Sequence, residues 1–178
     1  MRLFIAINLG EEMTEQLLKL RDTLKERSER GNFSRRENIH LTLAFLGECD
    51  DRMADAAKKV MDGSGFRPFS LTVGTVGRFR KGRRDTWWAG VNSSKELSDL
   101  QKGLVTGLTA AGFEPDGRGF APHITLGREV VSSAAPWDTE AFGQTVTSID
   151  LMRSERINEK LTYTAVYTKR AEPAEGSK

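Results

Sequence analysis

The sequence predicts a single domain of mixed helices and strands, built as two related halves. A strand, a helix and a second strand follow one another twice along the 178 residues. In each round the second strand contains the phrase His-x-Thr-Leu, "HLTL" at His40 and "HITL" at His123, and these two are the only histidines of the chain. Chance would rarely place both histidines in one phrase, 83 positions apart, so an internal duplication is the favoured explanation.

The composition is that of a globular protein with balanced charge. Hydrophobic residues make up 38% of the chain and charged residues 29%, with a formal net charge of +2. The single Cys49 excludes an internal disulfide and a multi-cysteine metal site, and it indicates a reducing compartment. The apolar run at the amino terminus is too short for a signal peptide or a membrane span, so we expect a cytoplasmic protein without membrane association.

The first half begins with "RLFIAINL", residues 2–9, which predicts a buried strand because it is short and rich in β-branched and aromatic residues. Leucines at helical spacing among charges predict an amphipathic helix over 11–30. The phrase "IHLTLAFLG" predicts the second strand at 39–47. A capping aspartate, an alanine-rich body and a terminal glycine predict a short helix over 50–63.

A strand at 69–79 links the halves, and a second round of elements comes after it. The remaining predicted elements are a loop at 80–85, a strand at 86–92, a helix at 94–111, a loop at 114–122, and strands at 123–130, 145–154 and 160–170. Residues 1–170 thus form one domain, and the small, polar stretch 171–178 is expected to be a disordered tail. The offset of 83 aligns Phe4 with Trp87 and Ala6 with Ala89.

Strand geometry separates the polar and apolar residues of each phrase. Side chains alternate along a strand, so His40 and Thr42 lie on one face and the flanking leucines on the other. The same holds for His123 and Thr125. The alternative is that each histidine is a hydrogen-bonded core residue, but a core would take the leucine face, which leaves the histidine face to line a cleft.

Two histidines facing each other across a cleft suit acid–base catalysis. Imidazole has an ordinary pKa of about 6.5, so one neutral and one protonated copy supply a base and an acid at the same pH. The neighbouring threonine hydroxyls can bond the oxygens of a phosphate. A metal site is disfavoured, because two histidines without a carboxylate or cysteine in either phrase fall short of a zinc ligand set.

These phrases resemble the signature of the two-histidine phosphoesterase superfamily. Within it, "RLFIAINL", "ENIHLTLAFLGE" and "PHITLGR" are similar to the RNA 2′,3′-cyclic phosphodiesterases, also called the 2′-5′ RNA ligase family. The resemblance runs from Arg2 to about Tyr167. It implies a bilobal α+β fold, with two antiparallel sheets around a central cleft and helices on the outside.

The resemblance also implies an activity and its residues. RNA-terminal 2′,3′-cyclic phosphate would be hydrolysed to a 2′-phosphate without a metal or other cofactor, with reversible 2′-5′ ligation as an associated reaction. His40 would be the proton donor and His123 the proton acceptor, while Thr42 and Thr125 would hold the phosphate oxygens. Many relatives have a lysine where this chain has Ala44, so a phosphate or RNA contact from that lysine is missing here.

Further basic residues are candidates for substrate binding. Arg128 follows the second motif and either reaches the phosphate, as the family motif suggests, or pairs with a surface carboxylate; strand parity places it off the histidine face. The loop "RFRKGRR" either contacts RNA phosphates or is a solvated hairpin tip; its basic residues are Arg78, Arg80, Lys81, Arg83 and Arg84. An aromatic residue beside the loop offers a surface on which RNA could stack, but for Trp87 and Trp88 packing in the core is favoured.

Two functions of different class are consistent with the sequence. One is a phosphodiesterase acting on RNA ends, on small cyclic nucleotides or on 2′-5′ linkages. The other is an RNA-binding module on the same scaffold. Retention of both histidines and both threonines favours the enzyme, because binding alone does not need two histidines. No obligate protein partner is indicated.

Overall fold

The computed structural model describes residues 1–115 and 119–173. Its helices and strands follow one another along the chain in this order: β1 Arg2–Asn8, α1 Glu11–Glu26, β2 Ser28–Phe33, β3 His40–Glu48, α2 Asp51–Gly63, β4 Phe69–Phe79, β5 Asp85–Val91, α3 Lys95–Ala110, β6 His123–Ser132, β7 Trp137–Val146, β8 Ser148–Ile157 and β9 Lys160–Arg170. A short 3₁₀ turn, Arg36–Asn38, precedes β3.

The strands form two antiparallel sheets, which confirms the predicted α+β fold with two lobes around a central cleft. One sheet has four strands in the order β3-β1-β8-β9, and the other has five in the order β2-β6-β5-β4-β7. The lobes meet where β3 approaches β6. The helices pack on the outer faces of the sheets.

Helices α1 and α3 each contact the sheet that does not contain the strand before them. Helix α1 follows β1 of the four-stranded sheet but packs against β2, β6 and β7 of the five-stranded sheet. Helix α3 follows β5 of the five-stranded sheet and packs against β3 of the four-stranded sheet as well as β4. One continuous apolar core therefore joins the two lobes.

Two strands were absent from the sequence prediction. Helix α1 ends at Glu26, so the predicted helix over 11–30 was too long, and its last residues begin β2. The predicted strand at 145–154 spans the end of β7 and most of β8, while 137–144 was not predicted at all. Both missed strands are edges of the five-stranded sheet. They carry mostly exposed or half-buried residues, so the apolar pattern that marks a strand is weak there.

The alignment of the two halves differs by one residue from the predicted offset. Ala6 of β1 lies opposite Thr42, and the residue opposite Thr125 in β5 is Trp88, not Ala89. Trp87 is fully buried, as expected, but strand alternation puts Trp88 on the opposite face, and it is only half-buried. The prediction that both tryptophans pack in the core was therefore wrong for Trp88.

The motif strands have the alternation that the sequence predicts. On β3, Leu41 and Leu43 are 0% and 3% exposed. Ile124 and Leu126 on β6 are both 0% exposed, whereas the histidines and threonines of the two phrases are half-buried. The imidazoles and hydroxyls therefore lie on the cleft side of their sheets.

The predicted disordered tail, 171–178, stays a prediction, because residues 174–178 lie outside the described residues. At its start, the backbone N–H groups of Ala171 and Glu172 donate hydrogen bonds to the carbonyls of Thr147 and Phe66, at 2.8 and 2.7 Å.

We expect the two faces of β6 to differ in their sensitivity to mutation. Leu126→Ala should lower the free energy of unfolding by about 2–5 kcal/mol, because it opens a cavity in the core. Thr125→Val keeps the side-chain volume on the cleft surface and should change it by only about 0.5 kcal/mol. Urea denaturation of both variants measures this, and equal destabilisation would contradict the alternation.

Candidate active site

The backbone just before β3 fixes the tautomer of His40. It is the first residue of β3, and its Nδ1 lies 2.7 Å from the carbonyl oxygen of Asn38, two residues earlier. A carbonyl only accepts hydrogen bonds, so Nδ1 carries the proton. Nε2 is left as the nitrogen that can exchange a proton, and it lies 2.8 Å from Oγ1 of Thr42.

His123 is held in the same way at the start of β6. Its Nδ1 lies 2.7 Å from the carbonyl oxygen of Ala121, again two residues earlier. This nitrogen is therefore also the donor, and Nε2 is again the exchangeable position. Thr125, two residues further along β6, is half-buried on the same face.

Residues of the second lobe affect the pKa of His40. Burial is the main cause that lowers its pKa below the ordinary value, and electrostatic interactions with Arg128 and His123 lower it further. The hydrogen bond with Asn38 acts in the opposite direction. The two imidazoles and the guanidinium of Arg128 thus lie within electrostatic reach of one another, in one site between the sheets.

Arg128 is exposed, and its positive charge acts on His40 in the other lobe. Its charge also acts on Tyr163, a residue of the four-stranded sheet whose pKa is raised by burial and lowered by Arg128. The strand is interrupted next to Arg128: Glu129 has a φ of 54°, and the pairing with β5 shifts between Gly127 and Val130. This bulge breaks the simple alternation on which the sequence argument relied.

Aromatic rings flank each imidazole, and sequence reasoning missed this. Phe4 and Tyr163 lie 5.0 and 5.2 Å from the His40 ring, between centroids. On the other side, Phe79 and Trp88 lie 5.0 and 6.3 Å from the His123 ring. The available signal was strand alternation, because Phe4 shares its face with Ala6, the residue opposite Thr42.

The basic loop is divided between structural and exposed residues. The guanidinium of Arg78 approaches the Asp85 carboxylate at 3.8 Å, bonds the carbonyl of Ala134 and lies over the Trp87 ring. These partners hold Arg78 at the base of the hairpin, and they disfavour the RNA contact that was predicted for it. Arg84 is exposed and pairs with Glu129 at 3.3 Å.

The rest of the loop is exposed at the tip of the β4–β5 hairpin, beyond Phe79; these residues are Arg80, Lys81 and Arg83. The same hairpin carries Phe79 and Trp88 beside His123, so the loop continues from the histidine site. Ala44, at the position where a lysine was expected from the resemblance, is buried in the main core and adds no polar group to the cleft.

Neither a metal cluster nor a membrane span is found within 1–115 and 119–173. In this part of the chain, no group of three or more His, Cys, Asp or Glu side chains is suited to a metal ion. Among the same residues, no helix combines the length and hydrophobicity needed to cross a membrane.

The fold and the paired motifs define a two-lobed protein with one His-x-Thr strand in each lobe. The pattern of the 2′-5′ RNA ligase superfamily matches residues 10–158, and the chain belongs to this family. It is 37% identical over 131 residues to the RNA 2′,3′-cyclic phosphodiesterase of Thermotoga maritima, covering 72% of this chain and 70% of that protein. It is 32% identical over 130 residues to that of Methanothermobacter thermautotrophicus, covering 71% and 70%.

Solved structures agree with this assignment. Escherichia coli LigT in complex with 3′-AMP superposes with a TM-score of 0.85 at 27% identity, covering 96% of this chain and 97% of that one. TT0787 of Thermus thermophilus superposes with a TM-score of 0.85 at 25% identity, covering 98% and 100%.

We expect His40 to titrate below its ordinary pKa of 6.5, with Arg128 as one cause. Replacing Arg128 by Ala removes a positive charge and should raise the pKa of His40 part of the way back, because burial remains. The Cε1–H signals of the two histidines report this in an NMR titration, and His123→Asn assigns them. An unchanged His40 titration in Arg128→Ala would place that guanidinium outside the site.

Proposed function

We propose that this protein hydrolyses RNA-terminal 2′,3′-cyclic phosphate to a 2′-phosphate by paired-histidine acid–base catalysis, in the cytoplasm. The observation that carries the proposal is the matched anchoring of His40 and His123, each with Nδ1 bound to a carbonyl and Nε2 left for proton exchange. The relatives named RNA 2′,3′-cyclic phosphodiesterase support the substrate class. Reversible 2′-5′ ligation is the same chemistry with a ribose hydroxyl in place of water.

Each proton transfer is assigned to one Nε2 atom. His123 takes a proton from water, which attacks phosphorus in line with the 3′ oxygen. The P–O3′ bond breaks, and His40 gives its proton to the leaving 3′ oxygen. The products are a 2′-phosphate and a free 3′ hydroxyl, and proton exchange with solvent then restores both imidazoles. Placing both groups about one phosphate removes the cost of bringing acid, base and substrate together in solution.

The donor role of His40 depends on the charge of the substrate. Burial and the nearby positive charge of Arg128 favour the neutral form of His40 in the free protein. A cyclic phosphate carries a negative charge, and binding it beside the imidazole favours the protonated form. The substrate thereby raises the pKa of the acid that cleaves it. Arg128 compensates the same phosphate charge from the opposite lobe.

The two threonines are proposed to hold the non-bridging oxygens. Thr42 bonds Nε2 of His40 in the free protein at 2.8 Å, so a phosphate oxygen replaces this contact when substrate binds. Thr125 occupies the corresponding place beside His123. No metal enters this scheme, because Arg128 and the protonated imidazole supply the positive charge.

The first test is product identification with single histidine variants. Wild-type protein should convert a short RNA with a 2′,3′-cyclic phosphate end to the 2′-phosphate, at the same rate with and without EDTA. His40→Gln and His123→Gln should each lower turnover by about 10²–10⁴-fold, because each removes one proton transfer. Circular dichroism checks the fold. A folded variant with near-wild-type turnover would contradict the assignment, and RNA binding without turnover by the wild type would indicate a binding module.

The pH dependence should distinguish the free protein from its complex. The limb of kcat/KM that requires protonated His40 should fall as pH rises through the lowered pKa of His40, below 6.5. The corresponding limb of kcat should lie at higher pH, because the bound phosphate stabilises the imidazolium. Both limbs report the coupled pair. Identical limbs in kcat and kcat/KM would contradict this role of substrate charge.

The exposed part of the basic loop should contribute to RNA affinity by binding phosphates. Arg80→Ala with Arg83→Ala should reduce the salt dependence of binding to a longer RNA by about one log unit per log salt for each phosphate that is no longer bound. Turnover of a cyclic mononucleotide should stay unchanged. Lys59→Ala with Lys102→Ala removes two charges from the outer helices and serves as the control. Equal effects of both pairs would assign the loop to nonspecific surface charge.

A further inference from the structure

The β8–β9 hairpin is hydrogen-bonded to the turn that precedes β3. The carbonyl oxygen of Leu161, near the start of β9, accepts hydrogen bonds from Nη2 of Arg35 at 2.5 Å and from Nδ2 of Asn38 at 3.0 Å. Strands β3 and β9 are the two edges of the four-stranded sheet. Three strand spacings of a flat sheet would keep them about 14 Å apart. The sheet must therefore curl, so that the start of β9 comes close to the segment that enters β3.

The curl brings Tyr163 against His40. Tyr163 follows Leu161 by two residues, and its ring lies 5.2 Å from the His40 ring between centroids, at an angle of 87°. Phe4, on the central strand β1, lies 5.0 Å from both rings. The three rings thus form one cluster with members from both edges of the sheet. Edge-to-face contact is a favoured arrangement of aromatic rings, so the cluster restricts the orientation of each member.

Asn38 joins this cluster to the anchor of the imidazole. Its side-chain amide bonds the hairpin at Leu161, and its backbone carbonyl accepts the hydrogen bond from Nδ1 of His40 at 2.7 Å. At the second motif, the carbonyl that anchors His123 belongs to Ala121, whose side chain has no polar group. The hydrogen-bonded link between imidazole and hairpin is thus particular to the first motif.

We propose that Tyr163 is a positioning residue for His40: on a hairpin held by Asn38, its ring keeps the imidazole in one orientation and shields it from water. The role of His40 as the proton donor, which this positioning serves, rests on the proposed function. Burial is the main cause that lowers the pKa of His40, and the Tyr163 ring contributes to that burial.

Removal of the Tyr163 ring should change the solvation of His40 without removing a charge. Tyr163 is neutral near pH 7, because burial raises the pKa of its hydroxyl. The charged and titratable groups on the surrounding elements stay in place: Arg128 and His123 on β6, Arg35 with its partner Glu37 beside the turn, and Arg2 on β1. A shift in the titration of His40 would therefore report the shielding.

An NMR titration tests the positioning without any substrate. The Cε1–H signal of His40 should report a pKa below 6.5 in wild type and a higher one in Tyr163→Ala, because water then reaches the imidazole. Tyr163→Phe keeps the ring and should keep the wild-type titration. Asn38→Ala frees the hairpin but retains the anchoring carbonyl, so it should act in the same direction and less strongly.

Tyr167→Ala is the matched control. Tyr167 is the other tyrosine of the chain and lies on the same strand, but it contacts α2, where its hydroxyl bonds Asp62 and its ring lies near Lys58. It should leave the titration of His40 unchanged. An unchanged titration in Tyr163→Ala, or an equal shift in Tyr167→Ala, would overturn the proposal. If circular dichroism shows that Tyr163→Ala does not fold, an unchanged titration in Asn38→Ala would overturn it.

Turnover of adenosine 2′,3′-cyclic phosphate distinguishes positioning from substrate binding. Tyr163→Ala should lower kcat by about 10–10²-fold with KM nearly unchanged, because a misaligned acid slows the reaction of bound substrate. Its limb of kcat/KM for protonated His40 should move to higher pH, and Tyr163→Phe should restore both. A raised KM with unchanged kcat would make Tyr163 a substrate contact and overturn the proposal, while the hydrolase remains. If wild type hydrolyses no cyclic phosphate, the proposed function fails, and the NMR titration alone decides the positioning.

Discussion

The period-two alternation of β3 and β6 is the constraint on which both the core and the site depend. The same short phrases supply buried leucine and isoleucine side chains to the core and imidazole and hydroxyl groups to the cleft. A slip of one residue in either strand would bury a histidine and expose a leucine. Burial of the apolar side chains, which holds the lobes together, therefore also orients the imidazoles toward the cleft.

Similar local geometry does not give the two histidines the same surroundings. Both are anchored through Nδ1, but His40 is enclosed by Phe4 and Tyr163 and feels the charge of Arg128. His123 lies beside Phe79 and Trp88. Burial and charge set the proton affinity of a side chain more strongly than the motif that contains it. In the proposed mechanism, neighbours outside the motifs therefore distinguish the acid from the base.

Features that depend on periodicity could be predicted from the sequence, whereas features that depend on strand register could not. Strands β4 and β9 and the partition of His40 from Leu41 came directly from apolar alternation. The edge strands β2 and β7 have little such alternation. Strand register decides which side of the sheet Trp88 lies on, how near Arg128 comes to the histidines and that Arg78 pairs with Asp85. A bulge or a one-residue shift changes these, and neither leaves a clear mark in composition.

The interleaving of the two halves constrains how the chain folds. In the four-stranded sheet, β1 lies between β3 and β8, and helix α3 packs on β3. This lobe therefore needs residues from both ends of the chain. Such non-local pairing slows folding, because distant segments must meet before their contacts can stabilise either. The amino-terminal half emerging from a ribosome would have no finished sheet to join. The cleft should accordingly form late in folding and in one step. A fragment ending before β8 would contain the first motif, but its sheet would be incomplete.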